Sequence, residues 1–130
     1  MIKNIEQFEQ LMRKYGHLFN EEEVISSKQL FTQALQGNGE AMVEVASVYR
    51  QVENYDEFVY WLMKATELGN SEAQYQLANC FIDGLGVEEN EEKAFEFYSI
   101  AAEQGHPDAA NNLADMFLNG ESVDVNEKEA

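Results

Sequence analysis

The chain has 130 residues, 45% of them hydrophobic, which suits one compact domain with a real core. Its 25 acidic against 8 basic residues give a net charge of −17 at pH 7, which repels nucleic acid and anionic lipid and favours encounter with cationic proteins. No apolar run approaches the roughly 20 residues of a membrane span, "MIKNIEQFEQ" lacks the apolar block of a signal peptide, and a lone Cys80 forms no internal disulfide, so the reading is a soluble, cytoplasmic chain.

Pro107 is the single proline, and apolar residues recur at three and four without strand alternation, so every predicted element is a helix. The first, roughly 4–19, puts Ile5, Phe8, Leu11, Met12 and Tyr15 on one stripe; Asn20 followed by Glu23 resembles a capping box that opens a second helix to about 36. Helices then follow near 40–51, 55–68, 71–82, 90–104 and 107–119, about seven in all.

One phrase recurs between them: "GNGEA" at 37–41, "GNSEA" at 69–73 and "GHPDA" at 105–109, with Gly37, Gly69 and Gly105 spaced 32 and 36 residues apart. Fixed periods of this size mark stacked repeats. The glycine stands where a helix ends in a left-handed residue, the next two residues turn, and a new helix starts on the alanine. Ser71 is expected to cap the middle helix with Gln74 three residues on, and Pro107 suits a first helical turn.

Alignment on these joints brings Ala41, Val45, Ala46 and Tyr49 into register with Ala73, Leu77, Ala78 and Phe81, and with Ala109, Leu113, Ala114 and Phe117. Each set forms an inward stripe whose small residues let a neighbouring helix approach. Trp61 then matches Phe97, and Ala65 matches Ala101. Leu11, Met12 and Tyr15 fit the same frame 34 residues before Val45, Ala46 and Tyr49, which makes the first two helices a degenerate repeat or N-terminal cap.

Residues 71–109, "SEAQYQLANCFIDGLGVEENEEKAFEFYSIAAEQGHPDA", resemble a Sel-one-like repeat, a relative of the tetratricopeptide repeat. Ala73, Leu77, Ala78, Phe81, Gly84, Gly86, Val87, Lys93, Ala94, Phe97, Tyr98, Ala101, Ala102 and Gly105 fall at the pattern's positions. The resemblance covers 39–130; the preceding unit lacks the Gly-x-Gly-Val turn and is four residues shorter, and the final one has Ser122 in place of the second glycine. It implies an all-α fold, a right-handed α-solenoid of stacked antiparallel helix pairs that binds other proteins, usually without catalysis. The expected organisation is one helical-repeat domain over 1–130: a degenerate segment at 1–38, repeats at 39–70 and 71–106, and an incomplete repeat at 107–130.

Residues 126–130 align with Asn90 to Ala94, where the second helix of a repeat begins. The last stripe, Leu113, Met116 and Phe117, is therefore expected to be partly uncovered, because repeats cover one another's apolar faces. A truncated chain, self-association through this end and a partner that completes the stack remain open alternatives.

No constellation for catalysis or a metal emerges. His17 and His106 are far apart in sequence and outside ligand spacing of Cys80; "DGLGVEENEE" at 83–92 lacks the alternating ligands of a calcium loop; Gly84-Leu85-Gly86 sits in no βαβ unit. Cys80 has no cationic neighbour one turn away and reads as an inert thiol. Tyr55, Phe58, Tyr60 and Trp61, at helical spacing, read as core. The expectation is a non-enzyme without metal or cofactor, binding neither nucleic acid nor membrane.

A protein-binding surface remains. If the stripe points into the stack, residues three and six positions after each alanine point away from it: Glu44 and Ser47, Gln76 and Asn79, Asn112 and Asp115, flanked by Tyr75 and Asn111. This polar row offers paired amide hydrogen bonds and one aromatic anchor to another protein. The preferred function is an interaction module, adaptor or scaffold; the alternative, favoured by the acidity, is a stoichiometric inhibitor such as an immunity protein that neutralises a basic toxin.

Overall fold

A computed structural model describes residues 4–119, with the side chain of Asn119 outside the description. Its helices are α1 (Ile5–Lys14), α2 (Glu21–Leu35), α3 (Gly39–Gln51), α4 (Tyr55–Glu67), α5 (Ser71–Asp83), α6 (Glu91–Glu103) and α7 (Pro107–Asn119), and no strand occurs among the described residues. They fall into two compact units, Met1–Leu68 and Gly69–Ala130. The alignment of 126–130 with the start of a second helix, and Ser122, lie outside the described residues.

Six helices start on asparagine. Asn4, Asn20, Asn38, Asn54, Asn70 and Asn90 each accept a hydrogen bond from the backbone N–H three residues on, which satisfies one of the otherwise orphaned N–H groups of the first turn. The predicted capping box is present in full: Asn20 takes the Glu23 N–H at 2.8 Å and the Glu23 carboxylate takes the Asn20 N–H at 2.8 Å. The expected cap on α5 is corrected. Asn70, not Ser71, accepts from Ala73 N at 2.9 Å, because the helix begins one residue after the cap and Ser71 is already its first residue.

Helix ends are equally local. After α2, Gly37 N–H donates to Ala34 O at 3.0 Å and Asn38 N–H to Gln33 O at 3.1 Å; after α6, Gly105 N–H donates to Ala102 O at 2.9 Å and His106 N–H to Ala101 O at 3.1 Å. This double closure needs a left-handed residue, and Gly37 and Gly105 supply it with φ of 98° and 92°. The joint is tighter than the expected two-residue turn. The glycine closes one helix and the very next residue, Asn38 or His106, caps the following one. The first helix is shorter than the predicted 4–19: Tyr15 leaves helical geometry at φ −106°, ψ 46°, and the chain folds back to bury Phe19.

In the first unit each helix contributes one ring to a continuous aromatic core. Phe8 of α1 stacks on Phe31 of α2 at 4.6 Å and meets Tyr49 of α3 edge-on at 5.6 Å, while Phe31 meets Trp61 of α4 edge-on at 5.7 Å. Such pairs add about 0.5–1.5 kcal/mol each beyond the area they bury. Ala34, Ala41, Ala46 and Ala65 are buried and leave room for the rings. Burial, reinforced by the Glu57 carboxylate, pushes the Tyr49 phenol well above its ordinary range.

In the second unit Ala73, Leu77, Ala78 and Phe81 of α5 are buried against Ala94, Tyr98 and Ala101 of α6, and α6 packs on α7 through buried Ala109 and Met116. Phe81 stacks on Phe97 at 5.9 Å. The third stripe is only half inward: Ala109 is buried, Leu113 is half-buried, and Ala114, aligned with buried Ala46 and Ala78, is exposed.

Candidate protein-binding surfaces

Glu44 and Ser47 lie in the first unit, on the outer face of α3. With the start of α2 they line a groove of about 360 Å³ whose other walls include Phe19, Glu22, Glu23, Ser27, Leu30 and Val48. Glu44 is exposed and Ser47 half-buried. Two other acids of this unit, Glu9 and Glu21, are engaged: Arg13 pairs with Glu9 at 2.8 Å and with Glu21 at 3.0 Å, and Lys28 pairs with Glu9 at 2.8 Å. Hydrogen bonds from Lys28, then Arg13, hold Glu9 below the usual carboxylate range, and a hydrogen bond from Arg13 does the same for Glu21.

In the second unit the remaining residues of the polar row are tied into two networks. The Tyr98 hydroxyl of α6 donates to Asn79 Oδ1 of α5, and the Asn112 amide of α7 is near enough to the same phenol to act on its ionisation. Burial raises the Tyr98 phenol above its ordinary value, partly offset by Asn112. Asn79 and Asn112 are both half-buried, so amides from two helices meet near one phenol, which holds the Asn79 carbonyl and leaves its NH₂ for other partners.

The second network is centred on Glu72. Gln76 Nε2 donates to Glu72 Oε2 at 2.7 Å, and His106 Nε2 lies 2.7 Å from Glu72 Oε1. His106 Nδ1 accepts the Ala109 N–H at 3.1 Å as the cap of α7, which places the ring proton on Nε2, facing Glu72. Tyr75 stacks on His106 at 4.5 Å and tilts against Tyr98 at 6.0 Å; half-buried, it is held rigidly from two sides. Asn111 and Asp115 are exposed and outside both networks. Gln104 Nε2 donates to buried Gln74 Oε1 at 2.9 Å, tying α6 to α5.

Two features carry these networks that the sequence reading assigned otherwise or only to packing: Tyr98, placed there as a repeat-pattern residue, and His106, placed at a joint. A tyrosine opposite an asparagine 19 residues away leaves no local signal; a histidine in the place held by Asn38 and Asn70 does, since that place is the cap. At the end expected to be uncovered, Met116 is 3% exposed, Leu113 is half-buried, and Phe117 is 40% exposed with its ring edge-on to Phe95 at 5.6 Å. Cys80 is buried. Among the described residues no group of three or more His, Cys, Asp or Glu could hold a metal ion, and no helix is long and apolar enough to cross a membrane.

Residues 71–106 and 107–130 each match the Sel1 repeat. The chain is similar to a solved protective antigen present in uropathogenic Escherichia coli strains that displays an SLR fold, with 30% identity and a TM-score of 0.72 over 81% of this chain and 23% of that one. It is also similar in fold to a Sel1 repeat protein from Oxalobacter formigenes, at 24% identity and a TM-score of 0.71 over 90% of this chain and 48% of that one. This chain thus spans less than half the length of either. No curated protein matches it. The fold class is all-α, of the Sel1-like solenoid type built from antiparallel helix pairs.

Proposed function

We propose that this chain, whose residues 71–106 and 107–130 match the Sel1 repeat, is a non-catalytic adaptor or scaffold that holds a segment of another protein on the exposed faces of α5 and α7. Sel1 repeats generally mediate protein–protein interactions. The observation that carries the reading is the pair Asn79 and Asn112 beside the Tyr98 phenol, which holds the Asn79 carbonyl. Two neighbouring amides together offer the donor and acceptor that match a peptide backbone, and prior fixation of Asn79 by the phenol lowers the ordering cost of binding. Tyr75, clamped between His106 and Tyr98, supplies the rigid aromatic contact that binding hot spots favour.

A second reading is favoured by the net charge of −17: a stoichiometric inhibitor, such as an immunity protein, that masks a basic toxin. Charge complementarity would then steer fast association that weakens with salt. The test is affinity capture from the source cell with the wild-type chain and Asn112→Asp, at low and high ionic strength. A partner held by wild type and lost with Asn112→Asp supports the module. A basic partner whose own activity stops on binding favours the inhibitor, and equal retention by both chains removes the support that the amide pair gives.

A further inference from the structure

The groove of the first unit has the chemistry of a site for one cationic side chain. Glu22, Glu23 and Glu44 line it and no lysine or arginine does. Glu23 is engaged with the Asn20 N–H, whereas Glu22 and Glu44 are exposed. The cations of α1 and α2 that make ion pairs, Arg13 and Lys28, are committed to Glu9 and Glu21. Phe19 and Val48, both buried, and Leu30 give the groove an apolar lining. Ser27, 8% exposed, lines it too and adds a hydroxyl to its wall. At about 360 Å³ the groove lies at the small end of the roughly 300–1,000 Å³ of ligand sites.

We propose that this groove receives a lysine or arginine side chain from a segment of a partner protein, its aliphatic stem on Phe19, Leu30 and Val48 and its cationic head on Glu22, Glu44 and the Ser27 hydroxyl. The inference rests on the protein-binding reading above and adds to it where and how a basic partner is engaged. Long cationic side chains lay their stems on apolar surface while the head stays polar, and hydrogen bonds from such heads to carboxylates are the stronger kind. An anionic segment is repelled by the three carboxylates, and an apolar one leaves Glu22, Glu44 and Ser27 without partners.

The experiment is an amide-resonance titration of the isotope-labelled full chain with three probes: acetyl-Ala-Ser-Lys-Ser-Ala-amide, the same peptide with norleucine for lysine, and spermidine. The lysine peptide is expected to move the resonances of Ser26, Ser27, Glu44 and Ser47. The norleucine peptide, which keeps the stem and lacks the charge, is expected to bind at least fivefold more weakly. Glu44→Gln weakens the lysine peptide about two- to fivefold, the range of an exposed ion pair. The double variant Glu22→Gln/Glu44→Gln weakens it further while keeping the helical spectrum and melting midpoint of wild type. Ser27→Ala, tested separately, reduces binding without touching charge. Equal binding of lysine and norleucine peptides overturns the proposal, and so does spermidine binding more tightly than the peptide, which assigns the groove to a free polyamine. Shifts confined to α5–α7 overturn the groove assignment yet leave the protein-binding reading standing. A protein partner that binds the double variant with unchanged salt dependence does the same.

Discussion

Glu53 is the one non-glycine residue with positive φ among the described residues, at 60°, and replacing it with glycine should stabilise the first unit. Its N–H donates to Arg50 O at 3.0 Å and the next N–H, of Asn54, donates to Tyr49 O at 2.9 Å. This is the same double closure that Gly37 and Gly105 make, so the conformation is demanded by the joint and not by the glutamate. A left-handed L-residue costs roughly 1–2 kcal/mol; glycine escapes that cost, but its freer unfolded chain takes back about 0.4–1 kcal/mol. The net expectation for Glu53→Gly relative to Glu53→Ala is a gain of about 0.5–1 kcal/mol. The alanine control matters because both substitutions remove one carboxylate from a chain of net charge −17, and only their difference isolates the backbone. Urea unfolding followed by circular dichroism reads it directly, and the thermal midpoint should rise by roughly 2–6 °C, as domains of this size respond to such energies. Alanine as stabilising as glycine would refute the backbone origin.

Gly105→Val should lower stability by about 1–2 kcal/mol while Gly105→Asn keeps most of it; a Cβ there meets nothing within 4 Å, so equal melting of the two would show that φ is not the cause. His106→Ala should cost about 1 kcal/mol through the lost cap, and His106→Asn, which can accept the same Ala109 N–H, should recover it; no recovery would mean that the Tyr75 stacking or the Glu72 contact dominates. Burial raises both Tyr49 and Tyr98 above the ordinary phenol value of 10.0. Unfolded tyrosines ionise at about 10, so the stability these two contribute is complete below that pH and is lost as pH rises through their folded values. Tyr98→Phe should flatten this alkaline loss, and an unchanged alkaline limb in urea titrations would falsify the assignment.

The helices, the glycine joints and the first two inward stripes were legible in the sequence because each depends on residues within one or two turns. Gly37 and Gly105 report a left-handed backbone wherever they stand, and Val45 with Tyr49 or Leu77 with Phe81 report a buried face by spacing alone. The cap at Asn70 was misplaced by one residue for an equally local reason: Asn70 and Ser71 are both good caps, and only the tightness of the joint decides between them. Phe31 stacks on Phe8 and meets Trp61 edge-on without being marked by the repeat frame, because that frame aligns residues of α1 and none of α2. The polar row was legible as a set of residue types but not as an arrangement. Asn79 and Asn112 are defined by Tyr98 on a third helix, and Glu44 by a groove whose other wall is α2; neither relation is written in spacing along one helix.

The two halves of the chain show how a repeat can lose its signature and keep its geometry. Between α3 and α4 the connection is Val52 to Asn54, three residues; between α5 and α6 it is Gly84 to Asn90, seven residues with Gly84 at φ 68° and Gly86 at φ 73°. Only the longer one carries the Gly-x-Gly-Val turn, and the Sel1 match accordingly begins at residue 71. Yet both connections end on an asparagine that caps the next helix, and in both its N–H returns to the carbonyl of the stripe's aromatic residue: Asn54 to Tyr49 and Asn90 to Phe81, each at 2.9 Å. What the helix pair requires is that return bond, because it sets where the second helix starts relative to the ring that packs beneath it. A seven-residue loop meets the requirement with two glycines, whereas a three-residue loop meets it by forcing one residue left-handed, and the chain has placed Glu53 there. The strain at Glu53 is thus the physical consequence of the four-residue shortening, and a sequence pattern built on glycines passes over the hairpin that bears it.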